Sequence, residues 1–525
     1  MNSRVPAGIQ ASPPVLAMFE LYGPAYTWFA VATAMLGSFA TVLTGTIINV
    51  AIPEVMGAFG IGQDQAQWLS TGFLAAGTVT MLLAAWCNAA FGMRTTYVAS
   101  MLVFLLGSIL GGIAPNPELL IASRVIQGAA AGILGPLSMV INYQIFPARH
   151  RGLAMGIFGI GVVLAPALGP ALGGLVIDNF NWRYVFYIAI PFTMVSIPLA
   201  IMFMPEREHG TKVPKLDWLG VILSSIFLVS LLTGLSNGER DGWESANIVA
   251  LMGCAVISLT AFIWWQNHVA EPLLNLHIFA HGRFLAASIV TFILGAGLYG
   301  STYLLPLFLQ TLQHISPTNS GLLMVPAGLA MAALFPVAGA LSDRLQPRYV
   351  IIAGLLLFAL SSWLMRLIDY DTPYGQLLFW AIIGRVGMAL IFPSLNAASL
   401  ASLPLSLLSQ GSGAINFLRQ LGGAFGVNLL SILLAQRTAE YSAAYTATQT
   451  SQPATLELLQ TIQDLIFGER LGFLMQFDAS FGFLSATLHG RAMVMAYREG
   501  FLAIALIFII ALIPTLFMHT ERTRH

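Results

Sequence analysis

The feature that most limits this chain is a series of apolar runs, each roughly 18–25 residues long, the length an α-helix needs to cross a bilayer. In lipid no water can satisfy a backbone N–H or C=O, so such runs are confined to helices that close their own hydrogen bonds. The runs read as 28–52, 67–90, 96–114, 119–143, 151–177, 184–204, 218–235, 248–265, 285–309, 321–341, 350–367, 377–400, 413–434 and 501–518, fourteen in all. Composition agrees: 8% of the residues are charged and 57% hydrophobic, where a soluble chain is about 25% charged. An all-α membrane protein is therefore expected. Twenty-two basic residues balance 22 acidic ones with no basic run, which argues against nucleic acid as a partner. Cys87 and Cys254 both fall in apolar runs, so no disulfide framework, metal cluster or cofactor is expected.

The runs group as six, two and six. This suggests a first bundle over 1–204, two additional helices over 205–275 and a second bundle over 276–525. The segment before the first run lacks an uninterrupted apolar stretch, so no cleavable signal is expected. GLSNGERDGW, between the seventh and eighth runs, reads as a turn. A hydrophilic insertion over 437–498 separates the last two runs. Its 455–467 portion has apolar residues at helical spacing and is expected to lie on a surface. The 473–488 stretch is too short and polar to span, with Asp478 in it.

The fifth run is unusually rich in helix breakers: Gly152, Gly156, Gly159, Gly161, Gly169, Gly173 and Gly174, with Pro166 and Pro170. Gly152, Gly156 and Gly159 share one helical face, and Gly169 and Gly173 another. Small residues at that spacing let a second backbone come close. The run is either a tightly packed span or a seam that slides and opens.

Following RGLAMG at 151–156, the pattern Gly161, Pro166, Gly169, Pro170, Gly173, Gly174 resembles the antiporter motif of drug:proton antiporters in the major facilitator superfamily. GALSDRLQPR at 339–348 resembles that superfamily's signature loop, a charged latch in which Asp343 bonds a helix end or a neighbouring Arg such as Arg344 and holds the outward-facing state. TGTIINVAIP at 44–53, NFLRQLGG at 416–423, NWRYVFYIAIP, STYLLPLFLQ and SGLLMVPAG resemble its fourteen-span EmrB/QacA-type branch. The resemblance covers nearly the whole chain. It implies two six-helix bundles plus two extra helices, and export of lipophilic small molecules against protons by alternating access. A membrane-fusion protein and an outer-membrane channel are implied as partners. There are two departures. The branch's first-span Asp is Thr44, which cannot carry a proton, and the first-half latch has Ala89 and Ala90 where the second has Asp343 and Arg344. Other readings are a nutrient symporter on the same fold, or a membrane enzyme or sensor, though no HExxH occurs and no GxSxG lies wholly within a run.

Weak internal repetition supports two related halves. SRVIQG around Arg124 recurs as GRVGM around Arg385, CNAAFGMR as LSDRLQPR, and RGLAMGIFG loosely as QGSGAINFL. Arg124 lies inside the fourth run, where a charge costs about 2.5–3.5 kcal/mol on insertion scales. It is either a structural Arg satisfied by carbonyls or, with Gln127, part of the transport cycle. Thr46, Asn49, Tyr299, Asn416, Arg385 and Arg419 are candidates for the cavity. No acidic residue or histidine falls mid-run. The three arginines have no carboxylate at matching depth, so the substrate is either an anionic lipophile drawn to them or a neutral one with the arginines on carbonyls.

Lysine and arginine set the orientation. With the N-terminus inside, the inner segments hold Arg4, Arg94, Arg149, Arg151, Arg207, Lys212, Lys215, Arg283, Arg344, Arg348, Arg522 and Arg524. The short outer loops hold Arg183, Arg240 and Arg366. Both termini are expected in the cytoplasm and the chain in a bacterial inner membrane. In a background with Cys87 and Cys254 replaced by serine, cysteine at Ala443 should react with an impermeant maleimide added outside intact cells. Labelling only after permeabilisation would reverse the orientation.

Overall fold

Every one of these runs is helical in the computed structural model, which describes residues 6, 9, 11–207, 213–448, 457–459, 461 and 473–518. Arg4, Lys212, Arg470, Arg522, Arg524 and most of the 455–467 portion lie outside the described residues. The helices are α1 (Pro13–Tyr22), α2 (Tyr26–Phe59), α3 (Gln63–Phe91), α4 (Met93–Ile113), α5 (Pro117–Ile145), α6 (Arg151–Asn179), α7 (Tyr184–Tyr187), α8 (Ile190–Phe203), α9 (Trp218–Asp241), α10 (Ala246–His268), α11 (Gly282–Thr311), α12 (Pro317–Arg344), α13 (Pro347–Met365), α14 (Tyr374–Ala401), α15 (Leu408–Thr448), α16 (Phe473–Ile510) and α17 (Leu512–Leu516). Thirteen described stretches are long and apolar enough to cross a membrane. The 29-residue α6 is a further long, apolar helix, rich in glycine.

Helices α2–α8 pack into one bundle and α11–α17 into a second, with α9 and α10 beside them. Hydrogen bonds tie neighbouring loops into two opposite faces. On the face that carries the termini, Arg94 Nε donates to the Met204 carbonyl at 2.8 Å and Trp86 Nε1 to the Pro214 carbonyl at 3.0 Å. On the opposite face, Arg183 donates to the Ala114 carbonyl and Gln313 to those of Tyr370 and Thr372. The apolar cores follow the same division. One cluster at the termini face runs from Phe19 and Tyr26 through Met139 and Phe158 to Leu400, Ile415 and Phe417, joining both bundles. At the opposite face Ile47, Val55, Trp182 and Phe186 form a core of the first bundle alone.

Two sequence expectations need correction. The chain does not leave the helix at residue 437: α15 runs 41 residues and α16 runs 38. At about 1.5 Å per residue each is far longer than the ~30 Å apolar layer. Their polar ends project as paired helices. Arg437 bridges to Glu499 at 2.8 Å and to Glu440 at 2.6 Å, and the Tyr441 hydroxyl donates to Glu499 at 2.5 Å. A fall in hydropathy marks the membrane edge, whereas QRTAEYSAAYTAT is made largely of good helix formers and simply continues the helix. For the same reason α9 runs through GLSNGERD to Asp241. It stops only where Gly242 takes φ +85°, in the left-handed region.

The two extra helices are pinned by one buried carboxylate. Asp217 accepts from the Gly220 N–H at 2.8 Å, Trp265 Nε1 at 2.8 Å, Gln266 Nε2 at 2.6 Å and the Leu273 N–H at 3.4 Å. It caps the N-terminus of α9 and holds α10 and the following strand of loop to it. Asp217→Ala leaves these donors buried and unpaired, so it should destabilise the protein by about 1–3 kcal/mol. The check is the melting temperature in detergent, which should fall by several degrees. An unchanged value would show that the node does not hold the pair.

Candidate functional site

The bundles meet through pairs of helices related by the internal repeat: α6 with α12, and α15 with α3. At the first pair, glycine removes the α6 side chain at three points of the crossing, and the Phe335 ring of α12 fills one of them. A Cβ on Gly339 would sit 2.9 Å from Leu153 Cα, one on Gly156 2.9 Å from the Phe335 carbonyl carbon, and one on Gly159 3.0 Å from the Phe335 ring. Over this crossing the Asp343 carboxylate caps α6 from the other bundle. Its Oδ1 accepts from the Gly152 N–H at 2.7 Å and its Oδ2 from the Leu153 N–H at 2.9 Å. A negative charge on the exposed N–H groups at a helix start is favourable on both hydrogen-bond and dipole grounds. The signature loop is thus placed on a helix end, as its sequence suggests.

The second pair lacks this charge. Asn88 Nδ2 of α3 donates to Ser409 Oγ at 2.9 Å, and α15 also reaches α5, where Ser412 Oγ donates to the Pro136 carbonyl at 3.0 Å and Asn416 Nδ2 lies 3.4 Å from Met139 Sδ. At the end of α3, where Ala89 and Ala90 depart from the latch pattern, Arg94 pairs with Glu206 in the loop after α8. Asn88, Ser409 and Ser412 went unnoticed in the sequence. Only the repeat, which sets α3 and α15 against α12 and α6, could have pointed to them.

The rest of the glycine pattern turns inward. Gly169 faces Thr46 Oγ1, Gly173 faces Ile47 Cγ1 at 2.8 Å, and Gly161 faces Met35, all on α2 of the same bundle. Pro166 and Pro170 lie on the same stretch of α6. The seam between bundles therefore belongs to Gly152, Gly156 and Gly159, while the antiporter-like part packs within the first bundle.

Between α3, α9, α11 and α15 lies a cavity of about 160 Å³ lined by Thr71, Leu74, Thr78, Leu228, Leu232, Ser236, Tyr299, Gln420 and Asn428, among others. The Tyr299 hydroxyl donates to Gln420 Oε1 at 3.2 Å. Both bundles and the first extra helix share its walls, and most of the lining is apolar. Thr44, Thr46 and Asn49 stand away from it. The Thr44 and Thr46 hydroxyls bond carbonyls of their own helix, and the exposed Asn49 accepts from Ser70 Oγ at 2.8 Å.

The three arginines divide. Arg124 is fully buried; its Nε donates to the Leu69 carbonyl at 2.9 Å and its Nη1 to Gln127 Oε1 at 2.8 Å. Gln127 Nε2 in turn donates to Ser108 Oγ at 2.9 Å, and the guanidinium lies 4.3 Å over the Phe73 ring. Arg124 thus ties α5 to α3 and, through Gln127, to α4. Arg419 donates to Asn416 Oδ1 and lies 4.8 Å over the Phe392 ring, while its Nη1 is buried without a partner. Arg385 is buried on α14 and makes no hydrogen bond or ion pair among the described residues.

The family model of the Major Facilitator Superfamily matches residues 34–427. The chain is 30% identical to the multidrug transporter protein MdtP of Bacillus subtilis, over 77% of this chain and 74% of that one. It is 30% identical to the fatty acid resistance protein FarB of Neisseria gonorrhoeae, over 95% and 97%. The solved structure of the human organic anion transporter MFSD10 shares the fold, with a TM-score of 0.60 at 14% identity over 94% of this chain and 99% of that one.

Arg124→Ala should lower stability by about 1–3 kcal/mol, since it strips partners from the buried Leu69 carbonyl and Gln127 amide. Thermal unfolding in detergent checks this. An unchanged midpoint would remove the structural role.

Proposed function

The chain belongs to the major facilitator superfamily, and from that premise we propose that it exports small lipophilic compounds across a bacterial inner membrane, driven by the proton gradient. The observation that carries the reading is the capped glycine seam. It closes the termini face by contacts that can be broken as a unit. Two backbone N–H groups and one carboxylate hold α6 to α12, and at Gly152, Gly156 and Gly159 the α6 side of the crossing carries no side chain. The mostly apolar cavity lies between both bundles, farther from that face. This is the arrangement of an outward-facing transporter whose bundles rock about a site between them. Relatives named for multidrug transport and fatty acid resistance favour efflux over uptake.

With the termini in the cytoplasm, the latch is on the cytoplasmic side, where the release of protons from the exchange would occur. Asp343 is the group we assign to this step. Protonation removes its charge, weakens both N–H bonds to α6 and frees the seam for the inward-facing state. Gly161, Pro166, Gly169, Pro170 and Gly173 then serve as the pivot of α6 on α2, and Arg344 accompanies Asp343 at the same helix end. The projecting α15–α16 pair is the surface we assign to a membrane-fusion protein leading to an outer-membrane channel.

In an exporter-deficient host, the chain should lower accumulation of a lipophilic dye, and an uncoupler should abolish the effect. Asp343→Asn should slow efflux about tenfold at unchanged membrane insertion, because charge-assisted bonds contribute about 1.5–3 kcal/mol. Equal accumulation with and without the protein for every compound tried would sink the reading. Indifference to the uncoupler would sink the coupling alone.

A further inference from the structure

The first of the two extra helices, α9, has three faces with three different surroundings. Gly234 and Gly238 admit the side chains of Met252 and Trp243, so one face packs against α10 and the turn before it. Leu219, Ile222, Ile226 and Val229 are exposed on a second face, which an apolar bilayer would cover. Leu228, Leu232 and Ser236 follow at the four-residue spacing that puts side chains on one side of a helix. This third face closes the cavity between the two bundles. It runs from the middle of α9 toward Asp241, away from the termini face.

The facing wall is built around Tyr299 of α11. Gly423 of α15 has no side chain, and the Tyr299 ring lies in the space this leaves. Its hydroxyl donates to Gln420 Oε1 at 3.2 Å, which holds the amide and leaves Gln420 Nε2 without an acceptor among the described residues. Two turns farther along α15, Asn428 Nδ2 donates to the Ala424 carbonyl at 2.8 Å, while Asn428 Oδ1 has no donor among the described residues. One unused donor and one unused acceptor therefore line the cavity, on positions separated by about 12 Å of helix. No charged side chain lines it. Arg419, beside Gln420 in sequence, is not part of the wall and sits over the Phe392 ring at 4.8 Å. A charged ligand would lose its hydration here and meet no countercharge. An uncharged one would gain the leucine surface and two hydrogen bonds. The volume of about 160 Å³ is close to the roughly 150 Å³ at which an engineered apolar cavity takes up benzene. It holds one aromatic ring with short substituents.

We propose that this cavity recognises uncharged aromatic compounds with a hydrogen-bond acceptor at one end and a donor at the other, and that α9 sets the size it admits. Gln420 meets the acceptor and Asn428 the donor. Tyr299 positions Gln420, and Leu228 and Leu232 pack on the apolar part. This assignment rests on the reading of the chain as an exporter of lipophilic compounds and names their chemical class.

The test is calorimetric binding to the purified full-length protein near neutral pH, which needs no transport. Propyl 4-hydroxybenzoate has the phenol donor and the ester acceptor and no charge. It should bind about fivefold tighter than propyl 4-methoxybenzoate, which lacks the donor. It should bind at least about tenfold tighter than 4-propoxybenzoate, the anion of an isomeric acid. Asn428→Leu should erase the difference between phenol and ether. Leu232→Ala enlarges the cavity from the α9 side and should move the preferred ester from propyl to hexyl. Thermal melts establish that both variants are folded. Equal binding of the phenol and its ether by the wild type, equal binding of the anion, a phenol preference kept in Asn428→Leu, or an unchanged chain-length preference in Leu232→Ala would overturn the assignment. Phenol-selective binding without any export would instead overturn the export reading and leave the site standing.

Discussion

A single carboxylate holds the two halves of this protein in register. Asp343 belongs to the second bundle but completes a helix of the first, satisfying two N–H groups that α6 cannot bond within itself. The close crossing beneath it depends on that cap as much as on glycine. Where backbones approach without side chains, attraction is spread over many weak contacts and does not by itself fix an axial position. The cap does. It sets α6 against α12 at one height, and the Gly152, Gly156 and Gly159 face then meets Gly339 and Phe335 in step. On the opposing side, α15 meets α3 and α5 through neutral amide and hydroxyl contacts. The seam is therefore charged on one side and neutral on the other.

The same asymmetry runs through the buried arginines. The repeat places an arginine in each half, Arg124 and Arg385, among different neighbours. In the first half the Arg124 guanidinium bonds the Leu69 carbonyl and Gln127 and keeps a buried Nη2 without a partner, and Thr44 bonds its own helix.

Much of this was legible in the sequence because the membrane imposes a strict rule on backbone hydrogen bonding. The long helices and the six-two-six grouping follow from apolar length, while the sequence leaves open whether Asp343 meets a helix end or a neighbouring arginine. Three things were not legible. Hydropathy cannot distinguish a helix that leaves the bilayer from one that ends there, so the polar continuations of α15 and α16 look like an insertion in the sequence and that of α9 like a turn. A glycine face says that something comes close, not what. Gly169 and Gly173 meet α2 while Gly156 meets α12, and only the register of three helices decides between them. Nor does sequence depth tell whether a buried arginine has partners. Arg124 is quenched by a carbonyl from another helix, Leu69, which leaves no trace in side-chain pattern.

The length of α15 couples distant parts of the molecule mechanically. Its first turns hold Ser409, Ser412 and Gly413 in the seam at the termini face, and its last turns stand beyond the opposite face, braced by Arg437, Glu440 and Glu499. From Gly413 to Thr448 is about 50 Å of helix. Such a rod is a lever with its short arm in the seam. Each degree of tilt about the seam carries the far end through about 1 Å, so a rearrangement too small to displace the loops at one surface is displayed, enlarged, at the other.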